Sequence, residues 1–235
     1  MAHEIDYTLF GDDLQLVEIE LDGGEAVRAE VGTMTYMDSG IKMDTSSGGG
    51  LMKGLKRMFT GEGFFITTFE NTVHSRQKVA FAAPYPGKII PIDLSREQGH
   101  FLCQKDAFLC AAYGIDIGIA FTKKFGAGFF GGEGFILQKL EGDGLAFLHA
   151  GGTIIERELS SGEELRLDTG CLVGMSSSIS YDVQFIGGFR NALFGGEGLF
   201  LAHLRGPGKV LIQSLPFSRL VDRVLSAMPP AQNYG

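Results

Sequence analysis

The sequence has no tryptophan, only three cysteines and only seven prolines in 235 residues, and no apolar run approaches the about 20 residues that a membrane-spanning helix needs. Positive charge is also scarce, with 20 Lys and Arg against 28 Asp and Glu and a formal net charge of −8. Each shortage excludes something. Phosphate recognition needs clustered Lys and Arg, so the acidic balance argues against nucleic acid as a partner. Three cysteines with neither a CxxC pair nor other metal-ligand spacing argue against a disulfide framework and against a zinc module. Cys103, Cys110 and Cys171 all stand among apolar neighbours and read as buried free thiols, as expected in a reducing compartment. Met1 to Tyr7 offers neither a basic nor an apolar leader pattern. The expected location is therefore cytoplasmic, peripheral to a membrane at most.

What is abundant is glycine, 35 residues, and phenylalanine, 19. Glycine without a collagen-like period supplies tight turns, because it alone enters positive φ without steric cost. Many turns imply many short strands. Hydrophobic residues at 44% and charged residues at 20% suit a folded domain with a sizeable core, and 235 residues can form one all-β unit.

An octapeptide pattern occurs three times: Phe59-Thr60-Gly61-Glu62-Gly63-Phe64-Phe65-Ile66, Phe130-Gly131-Gly132-Glu133-Gly134-Phe135-Ile136-Leu137 and Phe194-Gly195-Gly196-Glu197-Gly198-Leu199-Phe200-Leu201. A strand-like run precedes each copy, at Leu16–Leu21, 89–94 and Ile154–Leu159. One constant offset of 138 pairs Leu21 with Leu159, Gly24-Glu25 with Gly162-Glu163, Gly32 with Gly170 and Ile41 with Ile179. The expectation is a single domain, 1–235, of the all-β class. Three diverged β-repeat units at about 14–79, 87–146 and 151–213 would be related by internal pseudo-three-fold symmetry, and a short C-terminal helix at 217–228 would follow. That helix would put Phe217, Leu220, Val221, Val224, Leu225 and Met228 on one stripe packed against the domain. A turn of helix is also expected at 51–59.

The thrice-repeated Phe-x-Gly-Glu-Gly motif, spread over nearly the whole chain, resembles that of a bacterial family of uncharacterised proteins related to the mitochondrial altered-inheritance-of-mitochondria protein 24. The resemblance implies a β-rich, pseudo-three-fold fold grouped with the tryptophan RNA-binding attenuator protein-like superfamily. It implies little about activity, since the bacterial members have none established, while the mitochondrial relatives are associated with inner-membrane organisation. The RNA-binding surface of that superfamily's namesake does not carry over, because this chain has no matching Lys/Arg triplets.

Two sets of residues stand out as candidate sites. The first is the motif itself: Gly61, Glu62, Gly63, Gly132, Glu133, Gly134, Gly196, Glu197 and Gly198. Its glycines permit sharp turns or close approach and its glutamates can accept backbone hydrogen bonds. A sharper reading brings the three carboxylates together on a cation. The second set precedes each motif. Segment 51–59 places Lys53, Lys56 and Arg57 among Leu51, Met52, Leu55, Met58 and Phe59, and 121–130 with Lys123 and Lys124, and 189–194 with Arg190, echo it. Basic residues among large apolar ones suit an anionic membrane surface or a protein partner, or, more plainly, apolar plugs with snorkelling lysine stems.

Catalytic signatures are missing. The five histidines share no repeat position, Ser176-Ser177-Ser178 lacks a nucleophile elbow, and no cysteine has a histidine partner in sequence. No cofactor is implied. The expected function is non-enzymatic binding or scaffolding, with self-association into a homo-oligomer, because repeated sheets leave strand edges. The alternatives are a small-ligand or metal binder centred on the glutamates, and an enzyme whose site assembles only in three dimensions.

Overall fold

Short apolar runs closed by glycine turns fold as antiparallel strands that pair by one recurring scheme. The structure is a computed structural model that describes residues 1–30, 32–45, 66–123, 134–186 and 199–228. An outer strand, β1 (Asp6–Phe10), is followed by three groups of six. The first group is β2 (Leu16–Leu21), β3 (Ala26–Glu30), β4 (Met34–Met37), β5 (Ile41–Asp44), β6 (Ile66–Asn71) and β7 (Gln77–Phe81). The second is β8 (Lys88–Asp93), β9 (His100–Gln104), β10 (Phe108–Ala112), β11 (Asp116–Lys123), β12 (Phe135–Glu141) and β13 (Leu145–Ala150). The third is β14 (Ile154–Leu159), β15 (Glu164–Asp168), β16 (Leu172–Ser176), β17 (Ser180–Ile186), β18 (Leu199–Arg205) and β19 (Gly208–Gln213), and helix α1 (Phe217–Ala227) follows. The fold is all-β with one short C-terminal helix.

In every group the sixth strand lies between the first and third, and the fifth lies between the fourth and second. Each group thus supplies two three-stranded halves. Neighbouring groups share sheets: β3 pairs with β10, joining halves of groups one and two, and β9 pairs with β16, joining halves of groups two and three. The results are two six-stranded sheets, β5-β6-β3-β10-β13-β8 and β11-β12-β9-β16-β19-β14, flanked by the separate sheets β1-β2-β7-β4 and β15-β18-β17. The recurrence reaches detail, since the third strand of each group bulges where it meets the sixth, between Met34 and Tyr36, Phe108 and Cys110, and Leu172 and Gly174.

Local chemistry explains the matching turns. Gly24 and Gly162 both take positive φ, 88° and 80°, which costs glycine nothing. The glutamate after each folds back to accept the backbone N–H that opens the turn: Asp22 N donates to Glu25 Oε2 at 2.7 Å and Ser160 N to Glu163 Oε2 at 2.9 Å.

Packing is sheet on sheet. Phe69 of β6 meets Phe81 of β7 edge-on at 5.1 Å, and Phe121 of β11 meets Tyr181 of β17 at 5.5 Å, each pair linking two different sheets. One large buried cluster runs through groups one and two and reaches Val173 and Leu211, and a smaller one fills group three. The residues paired by the 138 offset sit alike, Leu21 with Leu159 and Ile41 with Ile179 all being buried. Cys103 and Cys110 are buried free thiols, as expected, whereas Cys171 is only half-buried.

The C-terminal helix has the expected span but not the expected packing. Its first turn is tethered, with Phe217 against Tyr85 at 4.8 Å and Arg219 paired to Asp168 at 2.8 Å. Beyond it Leu220 and Val221 are half-buried, while Val224, Leu225 and Met228 are exposed. The apolar stripe is therefore anchored to the domain by its first turn and exposed at its end. No helix among the described residues is long and apolar enough to cross a membrane.

Candidate functional site

The three segments singled out by their basic and aromatic content each connect the fourth and fifth strands of a group. The flanking strands are antiparallel neighbours, with Asp44 opposite Thr68, Lys123 opposite Phe135, and Ile186 opposite Leu199. Gly61, Glu62, Gly63, Gly132, Glu133, Gly196, Glu197 and Gly198 lie outside the described residues, as do Lys53, Lys56, Arg57, Lys124 and Arg190 and the helical turn expected at 51–59. Gly134 is described and has φ of 84°, so glycine is required there for backbone geometry. Lys123 is described too, and its Nζ donates to the backbone carbonyl of Val183 on β17. Together with the Phe121–Tyr181 ring contact, that bond joins the end of β11 to the first half of β17.

Two polar constellations were not visible to sequence reasoning. The first covers the sheet β1-β2-β7-β4. Glu18, Ala80 and Tyr36 are successive cross-strand neighbours, and the Tyr36 hydroxyl reaches past Ala80 to donate to Glu18. Lys78 donates to Glu18 at 2.7 Å and lies 3.2 Å from Glu20, while Arg76 engages Glu20, Asp22 and Asp6 within 3.2 Å. The hydrogen bond from Lys78, reinforced by that from Tyr36, holds the Glu18 carboxyl below its ordinary 4.5. The same bond raises Lys78, and Glu18 raises Tyr36. Four carboxylates here share two cations, each carboxylate contacting Lys78 or Arg76, so the cluster ties the strands of this sheet together.

The second constellation is buried. His149 on β13 is 2% exposed, and its ring meets Tyr85 edge-on at 4.5 Å. Its Nδ1 has no hydrogen-bond partner among the described residues, and burial lowers its pKa to about 4. The Tyr85 hydroxyl donates to the Asp106 carbonyl at 3.0 Å, and burial raises its pKa. Neutral imidazole beside a hydrogen-bonded phenol cannot release a proton near neutral pH. A single histidine with no repeat partner gave no sequence signal for this contact.

Three other histidines are engaged separately. His3 Nδ1 accepts from Ala26 N at 2.9 Å, His100 lies 3.2 Å from Glu141, and His203 lies 3.2 Å from Glu164. No group of three or more His, Cys, Asp or Glu able to hold a metal ion occurs among the described residues.

Comparison with known proteins bears on the same architecture. The family model for mitochondrial biogenesis AIM24 matches residues 7–215. The chain belongs to this family. An uncharacterized protein of Streptococcus pyogenes serotype M6 is 28% identical over 230 residues, covering 93% of this chain and 88% of its own. The X-ray structure of a Streptococcus pyogenes protein superposes with a TM-score of 0.78 at 25% identity, covering 96% of this chain and all of that one. Membership in the AIM24 family thus extends over the three strand groups, and these relatives carry no stated activity.

Proposed function

We propose that this AIM24-family protein is a non-enzymatic scaffold of three diverged units. It attaches to an anionic membrane surface, or to a protein partner, through the segments that precede the Gly-Glu-Gly motifs. The observation that carries this reading is that all three segments join the fourth and fifth strands of their groups, and that β11 and β17, the strands leading into two of them, are in contact. Connections at like positions present like chemistry, and Lys53, Lys56 and Arg57 concentrate cations in an otherwise acidic chain. Mixed basic and apolar residues gain from both the negative surface potential and the acyl boundary of a membrane. The exposed stripe Val224 and Leu225 on α1 and Met228 just after it, with Arg223 beside it, adds a second apolar contact of the same kind.

The test is co-sedimentation with vesicles containing phosphatidylserine, compared with neutral phosphatidylcholine vesicles. Wild-type protein is expected to pellet with the anionic vesicles, and the triple variant Lys53→Glu, Lys56→Glu, Arg57→Glu to stay in the supernatant with an unchanged circular dichroism spectrum. Equal pelleting of the folded variant removes these segments from the membrane role.

A further inference from the structure

The two shared sheets show what the edge of a third strand meets in this fold: the second strand of a neighbouring group. Cys110, Ala111 and Ala112 of β10 face Ala29, Arg28 and Val27 of β3, and Gly174, Met175 and Ser176 of β16 face Cys103, Leu102 and Phe101 of β9. One third strand and one second strand are left over. Among the described residues β4 pairs only with β7, and β15 only with β18.

Burial separates used from unused edges. All five residues of β10 and four of five in β16 are buried. All four of β4 are exposed, with Met34, Tyr36 and Met37 at 37–43%. Free edges in natural sheets are ordinarily guarded by charge or proline. The Met34-Thr35-Tyr36-Met37 edge has neither.

We infer that β4 of one chain pairs with β15 of a second copy, completing a sheet β17-β18-β15-β4-β7-β2 of the same strand order as the two inside each chain. The internal contacts fix its register. Lys78 N donates to the Asp38 side chain at 2.8 Å as Lys209 N donates to Ser176 Oγ at 3.1 Å, so Asp38 stands where Ser176 does and Tyr36 where Gly174 does. The same offset places Leu167 where Ala29 does. In the completed sheet Tyr36 faces Leu167, Met37 faces Arg166, and Asp38 faces Leu165, antiparallel. The contact is head to tail, which produces closed rings or open chains of copies according to the rotation between them. Because the occupant is this chain itself, the inference is independent of what the 51–59 segment binds.

Light scattering on purified protein reads the first outcome: an assembly of more than one chain, reduced to single chains by Met37→Arg, which sets like charges face to face. Adding Arg166→Glu to Met37→Arg restores opposite charges and the assembly. Cross-linking reads the register. In a Cys171→Ser background, Met37→Cys protein mixed with Arg166→Cys protein gives a disulfide-linked pair of chains on mild oxidation, because directly opposed strand positions come within disulfide reach. Neither protein does so alone. A single-chain mass at all concentrations overturns the inference, as does a mixture that fails to cross-link. So does a Met37→Cys, Arg166→Cys double variant that forms its disulfide within one chain, which would mean that the two edges meet intramolecularly.

Discussion

The joint between β9 and β16 and the free edge of β4 occupy like places in their strand groups, yet one is sealed and the other open. At the sealed joint the residue facing Cys103 is Gly174, and a Cβ there would fall 2.6 Å from the Phe101 ring and 2.8 Å from the Leu102 carbonyl. At the open edge the equivalent residue is Tyr36, whose side chain lies across its own sheet to Glu18. The difference teaches that the joint is set by side-chain size at one position as much as by backbone pairing. A small residue lets a neighbouring aromatic seat against the strand, whereas a tyrosine turned inward leaves the backbone edge bare. Polar contacts follow suit. Glu97 reaches across the sealed joint to Lys209 at 2.8 Å and to Ser176 at 3.2 Å, while at the open edge the equivalent Lys78 is satisfied within its own sheet by Glu18 and Glu20.

The strongest way to break this contrast is to reverse the sizes. Gly174→Leu forces a branched side chain into Phe101 and the Leu102 carbonyl, neither of which is a flexible tip, and overpacking of that kind costs about 3 kcal/mol. Tyr36→Leu gives up one part-buried hydrogen bond to the Glu18 carboxylate, worth about 1.5 kcal/mol. Urea denaturation of both variants measures the pair. A smaller loss for Gly174→Leu than for Tyr36→Leu would show that size does not seal the joint.

Acid sharpens the same contrast by acting on the two regions in different windows. His149 lies in the shared sheet of groups one and two and is neutral in the folded chain, with its pKa lowered from 6.5 to about 4. Protons bind it more readily after unfolding, so its contribution is intact above pH 6.5 and is lost as pH falls from 6.5 towards 4. Glu18, in the open-edged sheet, also has a lowered pKa, so its contribution persists until pH falls through and below its ordinary 4.5. Urea midpoints recorded from pH 8 to pH 3 are expected to decline in two stages. His149→Leu flattens the first stage and leaves the second, and Glu18→Gln leaves the first and shrinks the second, which it shares with Glu20, Asp93, Glu141 and Asp182, all with lowered pKa. A first stage that survives in His149→Leu assigns it elsewhere.

Much of this architecture was legible beforehand because its signals are local. The strand-like runs Leu16–Leu21 and Ile154–Leu159 are strands, and the Gly24-Glu25 and Gly162-Glu163 pairs matched by the offset of 138 share positive φ and carboxylate-capped turns. What the sequence could not convey was long-range. Nothing near Tyr36 names Glu18 as its partner, 18 residues away in sequence and two strands away in the sheet. Nor does the constant offset of 138 reveal that β3 and β9 find partners in the next group while β15 finds none among the described residues, since all three have similar patterns. Of the candidate site residues, Lys123 looked like a free cation in a basic segment and proves to be bonded to the Val183 carbonyl.

The smallest effect concerns helix α1, where periodicity foretold the stripe correctly but not its exposure. A stripe packed on the domain would make Leu225→Ser costly, since burying a leucine contributes roughly 2 kcal/mol. With Val224 and Leu225 exposed, the double change Val224→Ser, Leu225→Ser is expected to move stability by no more than about 0.5 kcal/mol. It should nevertheless weaken pelleting with phosphatidylserine vesicles, because residues that leave water only on binding register in binding and not in folding. A large drop in the urea midpoint would return the stripe to the domain's own core. An unchanged midpoint with unchanged pelleting would leave membrane contact to the segments ahead of the Gly-Glu-Gly motifs alone.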